Sequence, residues 1–231
     1  MKRITDPEIL ERCYTQFPLT DLFSFDISPY VDLVRFEPDE FLFSEGDEPT
    51  TQNYLIKGRT KLFVTHENGR STLVNFLAAP RFLGEIEMIQ SQKAARGVQT
   101  VTECICYRIR CRECLEQILA DNHFLRYLCV YLGKEAHQNV NHFIQNQAYP
   151  LNVRLAEFIL ISASRGYYRE KHTETAEFLG TTYRNLMYAL ADFVKKGYLK
   201  KTKQGYLLAD EDALQNLVEN AHGRHAGTKQ K

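Results

Sequence analysis

The period of the apolar positions changes along this chain, and each change predicts a boundary. Between Tyr30 and Ile109 apolar and polar residues alternate in short runs, VDLVRF, FLFSEG, NYLIKG, RTKLFVTH, STLVNFLA and VQTVTECICYRI, rich in Val, Leu, Phe, Tyr and Thr. Turn residues separate them, at Pro38-Asp39, Gly46-Asp47, Asn68-Gly69 and Pro80. Regularly spaced short strands of this kind predict a small antiparallel barrel or sandwich, and Asn68-Gly69 between two alternating runs is the strongest hairpin signal. A short helix over Asp6 to Tyr14, with Ile9, Leu10 and Cys13 on one side, is expected to open the chain.

At Cys111 the period lengthens to that of a helix. RECLEQIL closes the strand region, and Asn122 to Gln147 reads as one helix of roughly 26 residues, near 39 Å at ~1.5 Å per residue. Along it Leu125, Leu128, Leu132, Ala136, Val140 and Phe143 recur at intervals of three and four. A stripe this narrow predicts a seam against a partner helix, most simply a second copy in a parallel coil. Packing on the strand region, over all or part of its length, is the alternative. Pro150 ends the helix by holding Tyr149 extended. The helix NVRLAEFILISAS follows. After Asp210 a short helix, EDALQNLVEN, precedes AHGRHAGTKQK, a polar tail expected to be disordered. The predicted division is 1–120, 121–148, 149–220 and a tail over 221–231.

From His172 to Leu199 the pattern is that of two helices meeting at a sharp turn. The first is predicted over Thr173 to Leu179, with Ala176 and Leu179 inward and Gly180 free to adopt the left-handed backbone that ends it. Thr182 offers a hydroxyl to the amides of the second, whose Leu186, Leu190 and Phe193 or Val194 face inward. Tyr183, Arg184, Asn185 and Tyr188 are left outward, where a recognition helix reaches base edges in the major groove. Arg184 can pair bidentately with guanine, Asn185 can serve adenine or a phosphate, and the tyrosines bring a hydroxyl and an apolar ring. Lys200, Lys201 and Lys203 stand in the alternating hairpin that follows, LKKTKQGYLL, with Gln204-Gly205 as its predicted turn, and this hairpin reads as a wing.

Charge sharpens the picture. The chain is neutral, with 29 basic and 29 acidic residues, yet between Tyr149 and Tyr206 ten basic residues stand against five acidic ones. That asymmetry points to a phosphate-facing segment, with double-stranded DNA as the expected partner. No apolar run approaches the ~20 residues that span a bilayer, and MKRITDPEIL has no apolar core for a signal peptide, so the expected location is the cytoplasm, with no membrane partner. The six cysteines are then expected to be reduced. Cys104 and Cys106 share a strand face, and Cys111 and Cys114 sit three apart at the start of a helix. These four can in principle surround zinc or an iron-sulfur cluster, or fill core volume, the helical pair being half exposed in that case. No phosphate-cradling glycine loop, nucleophile elbow or zinc-protease spacing is present, so an enzyme is not expected.

A β-roll, a long helix, a hinge and a winged helix-turn-helix in this order resemble the CRP/FNR family of bacterial transcription regulators, over about residues 20 to 210. The residues that carry the resemblance are Gly46, the strings KGRTKLF and NGRSTLVNFLAAPRFLGEIEMI, and the helix-turn-helix; FLRYLCVYL, REKHTETAEFLG and TYRNLMYALADF look closest to the YeiL branch. The resemblance implies an α+β chain with a cyclic-nucleotide-binding-like β-roll, a dimerisation helix and operator contacts through Tyr183, Arg184 and Tyr188. Many relatives carry Arg, Glu and Arg there, so this operator should differ from theirs. It also places Gly84, Glu85 and Arg96 where the family's nucleotide binders hold phosphate and ribose. Against a nucleotide stand the eleven-residue step from Glu85 to Arg96, Gly97 where a small side chain usually follows the arginine, and Glu87 as a second carboxylate. Iron-sulfur sensing of the FNR kind uses cysteines near the N-terminus, where this chain offers only Cys13. The expected function is a homodimeric DNA-binding regulator, touching RNA polymerase if it activates. The rival is a cyclic-nucleotide-binding module whose C-terminal part contacts protein.

Overall fold

The computed structural model describes residues 1–48, 50–65, 71–90 and 96–226, without the side chains of 71, 138, 139, 141–147 and 222–226. The chain is mixed helix and sheet and forms two compact units, one of residues 1–70 and 74–138 and the other of residues 71–73 and 139–231. The predicted Asn68-Gly69 turn lies outside the described residues, as do 227–231.

Nine strands, all within the first unit except the start of the sixth, form two sheets. They are β1 (Lys2–Arg3), β2 (Val31–Phe36), β3 (Phe41–Phe43), β4 (Gln52–Lys57), β5 (Arg59–Thr65), β6 (Ser71–Ala78), β7 (Arg81–Leu83), β8 (Gly97–Thr100) and β9 (Cys104–Ile109). One sheet runs β1-β2-β9-β4-β7 and the other β3-β8-β5-β6, with antiparallel pairing at each register defined. The run VQTVTECICYRI is therefore two strands in different sheets rather than one. The Thr100 hydroxyl ties down the crossover, donating to Glu37 O at 2.6 Å and accepting from Glu40 N at 3.0 Å.

Strand β9 lies between two cores. Cys104 and Cys106 join Val34, Phe36, Leu55, Leu77, Leu83 and Val98 on one face, between the sheets. Ile105, Tyr107 and Ile109 point the other way, into a core shared with the helices that cover the sheet. Those helices are α1 (Pro7–Gln16), α3 (Cys111–Ala120) and the first half of α4 (Asn122–Ala148), and a short helix α2 (Glu85–Gln90) follows β7. Asp121 starts α4, its carboxylate accepting from the amides of His123 at 3.0 Å and Phe124 at 3.3 Å and from Ser24 N at 2.7 Å. Burial pulls the Asp121 carboxyl upward, but the hydrogen bonds outweigh it and hold the pKa below its ordinary value.

The long stripe on α4 divides. Leu128 is 2% exposed inside the unit's own core, and Leu132 packs half-buried against that core. Leu125 is also half-buried, while Ala136 and Val140 are exposed, and the Phe143 side chain lies outside the described set. The predicted seam is thus corrected at Leu128 and Leu132. A helix lying on a sheet buries its widest apolar face against that sheet, so the leucines serve the β-roll.

The second unit holds α5 (Leu151–Ser162), β10 (Tyr167–Tyr168), α6 (His172–Phe178), α7 (Tyr183–Lys195), the hairpin β11 (Leu199–Thr202) and β12 (Gly205–Leu208), and α8 (Glu211–Ala226). Helix α8 runs on into the segment expected to be disordered tail. No proline interrupts it there, and a single Gly223 costs only ~1 kcal/mol relative to Ala. Among the described residues no helix is long and apolar enough to cross a membrane.

Candidate nucleic-acid interface

The start of α7 is fixed from its own sequence. Gly180 takes φ +57°, turning the chain away from α6, and Ala176 and Leu179 are buried beneath it. The Thr182 hydroxyl then accepts from Asn185 N at 3.2 Å, capping α7. With the cap set and Leu186, Leu190 and Phe193 fully buried, the outward residues of the first turns follow from helical spacing. Tyr183 is 53% and Tyr188 61% exposed, and Arg184 and Asn185 are exposed beside them.

The hairpin stands next to this row. Its turn is at Lys203-Gln204, and Gly205 is already the first residue of β12, which corrects the predicted turn by one position. The reason is the neighbouring strand β10: a Cβ on Gly205 would stand 2.5 Å from Tyr168 O. Lys200, Lys201 and Lys203 are all exposed. His172 joins the pieces, its ring centroid 5.8 Å from Tyr206 on the hairpin and 6.4 Å from Tyr183 on α7. Burial, then the charge of Lys201, holds His172 below its ordinary pKa. Below it the buried Tyr168 and Thr175 hydroxyls meet at 2.8 Å. Nothing in the local pattern singled out His172, Tyr168 or Thr175, because their partners are set by the fold. Lys196 is tied to Asp192 at 2.7 Å, and Arg154 donates to the carbonyl oxygens of Tyr149 and Leu179, so these cations are already engaged within the unit.

The β-roll residues offered for a nucleotide are arranged differently from that expectation. Glu85 is pushed up to about 7 by burial first. Its own backbone amide opposes the shift, Glu87 adds to it, Arg81 opposes and Glu135 adds. The cation that bears on Glu85 is therefore Arg81, and Arg81 is already paired with Glu135 at 2.7 Å. Arg96 is exposed. Gly84, at φ +90°, serves the turn into α2. Among the described residues, then, the guanidinium that bears on Glu85 is already engaged by a carboxylate of α4.

The raised Glu85 pKa sets a pH dependence. A carboxyl whose folded pKa lies above its ordinary 4.5 contributes most below 4.5, and that contribution is lost as pH rises toward about 7. Glu85→Gln should therefore strengthen amide protection in β4, β7 and β9 relative to wild type at pH 8 and give little gain at pH 5. The difference should be on the order of 2 kcal/mol, below the full linkage value because Glu85 keeps some solvent contact. Equal gains at both pH values would contradict the assignment.

The cysteines are not gathered. Cys104 and Cys106 lie between the sheets, and Cys111 and Cys114 lie in the other core, on the opposite side of β9. The helical pair is buried rather than half exposed. Burial pushes the thiols of Cys104 and Cys114 up to about 11 and that of Cys111 to about 12, so all three keep their protons. Among the described residues no three His, Cys, Asp or Glu side chains gather as a metal ion would need.

Comparison with known proteins defines the class. Residues 33–122 match the cyclic nucleotide-binding domain family, the region of the two-sheet roll. The chain is 42% identical over 198 residues to the regulatory protein YeiL of Escherichia coli O157:H7, covering 86% of this chain and 90% of that one. Among solved structures, a transcriptional regulator of the CRP/FNR family from Eubacterium rectale superposes with TM-score 0.66 at 14% identity, covering 90% and 97% of the two chains. A CRP-family regulator from Thermus thermophilus gives 0.59 at 19% identity, covering 80% and 96%. These last two establish the fold: a CRP/FNR-like β-roll in a mixed helix and sheet chain. The chain belongs to the CRP/FNR family of transcription regulators, near YeiL.

Proposed function

We propose that the protein is a sequence-specific DNA-binding transcription regulator that acts as a homodimer, with residues 149–220 as a winged helix-turn-helix. The observation that carries this reading is the exposed row Tyr183, Arg184, Asn185 and Tyr188 at the capped start of α7, beside the lysine hairpin β11-β12. Membership in a family of DNA-binding dimeric regulators supports it. In this reading Thr182 fixes the helix start, the α7 row enters the major groove, and Lys200, Lys201 and Lys203 lie along phosphates. RNA polymerase is a further partner where the outcome is activation. No specific observation favours the rival in which the C-terminal unit contacts protein.

Selection from random DNA with purified protein tests it. Arg184→Ala should relax base preference at one position of each half-site and cost ~1 to 3 kcal/mol of specific binding. Lys200→Ala or Lys201→Ala should weaken specific and random DNA alike and flatten the salt dependence, since phosphate contacts carry no sequence information. A selected sequence that Arg184→Ala leaves unchanged would show that α7 is not the reading element.

A further inference from the structure

We infer that Tyr188 is a positioning residue for Arg184, and that the pair makes guanine the base read at their place in the groove; this rests on the DNA-binding reading above. Four residues apart, the two side chains share one face of α7. Arg184 donates from both Nε and Nη2 to the Tyr188 hydroxyl oxygen, each at 3.2 Å, and its guanidinium carbon lies 5.5 Å from the Tyr188 ring centroid. Both residues are exposed, so among the described residues this contact and the helix itself direct the guanidinium.

The atoms engaged determine what is left free. Nε and Nη2 form the side edge of the guanidinium plane, and Tyr188 occupies it. Nη1 and the second N–H of Nη2 remain as a two-pronged tip. Guanine offers O6 and N7 side by side as acceptors and fits such a fork. Adenine sets an N6 donor beside N7, so one prong would face a donor. The clamp removes rotamers that an exposed arginine would otherwise have to give up on binding, and that conformational cost is met before DNA arrives. Tyr188 thus acts on sequence choice through the arginine.

The test uses the full-length protein, its selected operator, and the same operator with adenine at the position that Arg184→Ala relaxes. Tyr188→Phe keeps the ring and the helix and removes only the hydroxyl that accepts from Arg184. It should lower the preference for guanine over adenine roughly fivefold. Tyr188→Phe should add nothing to the loss of preference in the Arg184→Ala background, because the hydroxyl then has no guanidinium to direct. If preference is unchanged in Tyr188→Phe while Arg184→Ala still relaxes it, the positioning role is overturned and the DNA-binding reading stands. An equal effect in both backgrounds also overturns it, because Tyr188 would then touch the base itself. Relaxation at a base other than guanine overturns the guanine assignment, and a wild type that selects no sequence overturns the DNA-binding reading and this inference together.

Discussion

Phe82→Ala is expected to cost about 3 to 5 kcal/mol and to bring the N-terminal unit close to unfolding, because domains of this size hold only about 5 to 15 kcal/mol in all. Phe82 is 1% exposed on β7, and aromatic rings from several elements meet it. Tyr54 of β4 lies 4.5 Å away by centroid, and from α4 come Phe124 at 5.8 Å, Tyr131 at 5.9 Å and Tyr127 at 6.2 Å. The three α4 rings approach edge-on, the geometry that adds to simple area burial. Tyr131 also donates to Phe82 O at 3.4 Å, so side chain and backbone both bind the edge of the sheet to the long helix. Removing the ring leaves a cavity that rigid sheet backbone cannot close. With two units in the chain a single melting curve does not isolate this, so amide exchange is the readout. Protection should collapse in β4, β7 and the first half of α4 and persist in α7 and β12. A loss of less than ~1 kcal/mol in those strands would mean that the aromatic group is not what joins β7 to α4.

Legibility in the sequence followed the range of the interactions. The turn at Gly180, the cap at Thr182 and the buried row Leu186, Leu190 and Phe193 depend on residues a few positions apart, so spacing alone placed α7 to within its ends. Strand β2 was readable for the same reason. The division of VQTVTECICYRI into β8 and β9 was not, because the break is fixed by Thr100 bonding to Glu37 and Glu40, some sixty residues away. The cysteines misled in a related way. A period of two correctly put Cys104 and Cys106 on one face, but only the fold shows that Cys111 and Cys114 return to the other side of the sheet. For Glu85, a motif position was legible, whereas its environment of Arg81, Glu87 and Glu135 needed β7, α2 and α4 assembled.

Self-association falls to the α4 residues that the β-roll leaves free, and a charge placed among them should have a large effect. With Leu128 and Leu132 spent on the β-roll core, the α4 residues left exposed include Cys129, Gly133, Ala136 and Val140. Their steps of four, three and four are those of a heptad seam, and their small size would let two helices approach closely. Resting on the homodimer reading, Ala136→Glu or Val140→Glu should give folded monomers. Each places two carboxylates face to face in a desolvated seam without touching the subunit's own core. A monomer engages one half-site at a time and loses the effective concentration supplied by its partner, so operator affinity should fall by roughly 10²- to 10⁴-fold. Leu132→Glu should behave differently, since it puts a charge against the helix-covered core of the β-roll: that unit should lose stability, and any loss of dimer would be secondary to it. Sedimentation combined with amide exchange separates the two. Ala136→Glu and Val140→Glu proteins that remain dimeric at micromolar concentration, with native protection in β2, β4 and β9, would place the subunit contact on some other surface.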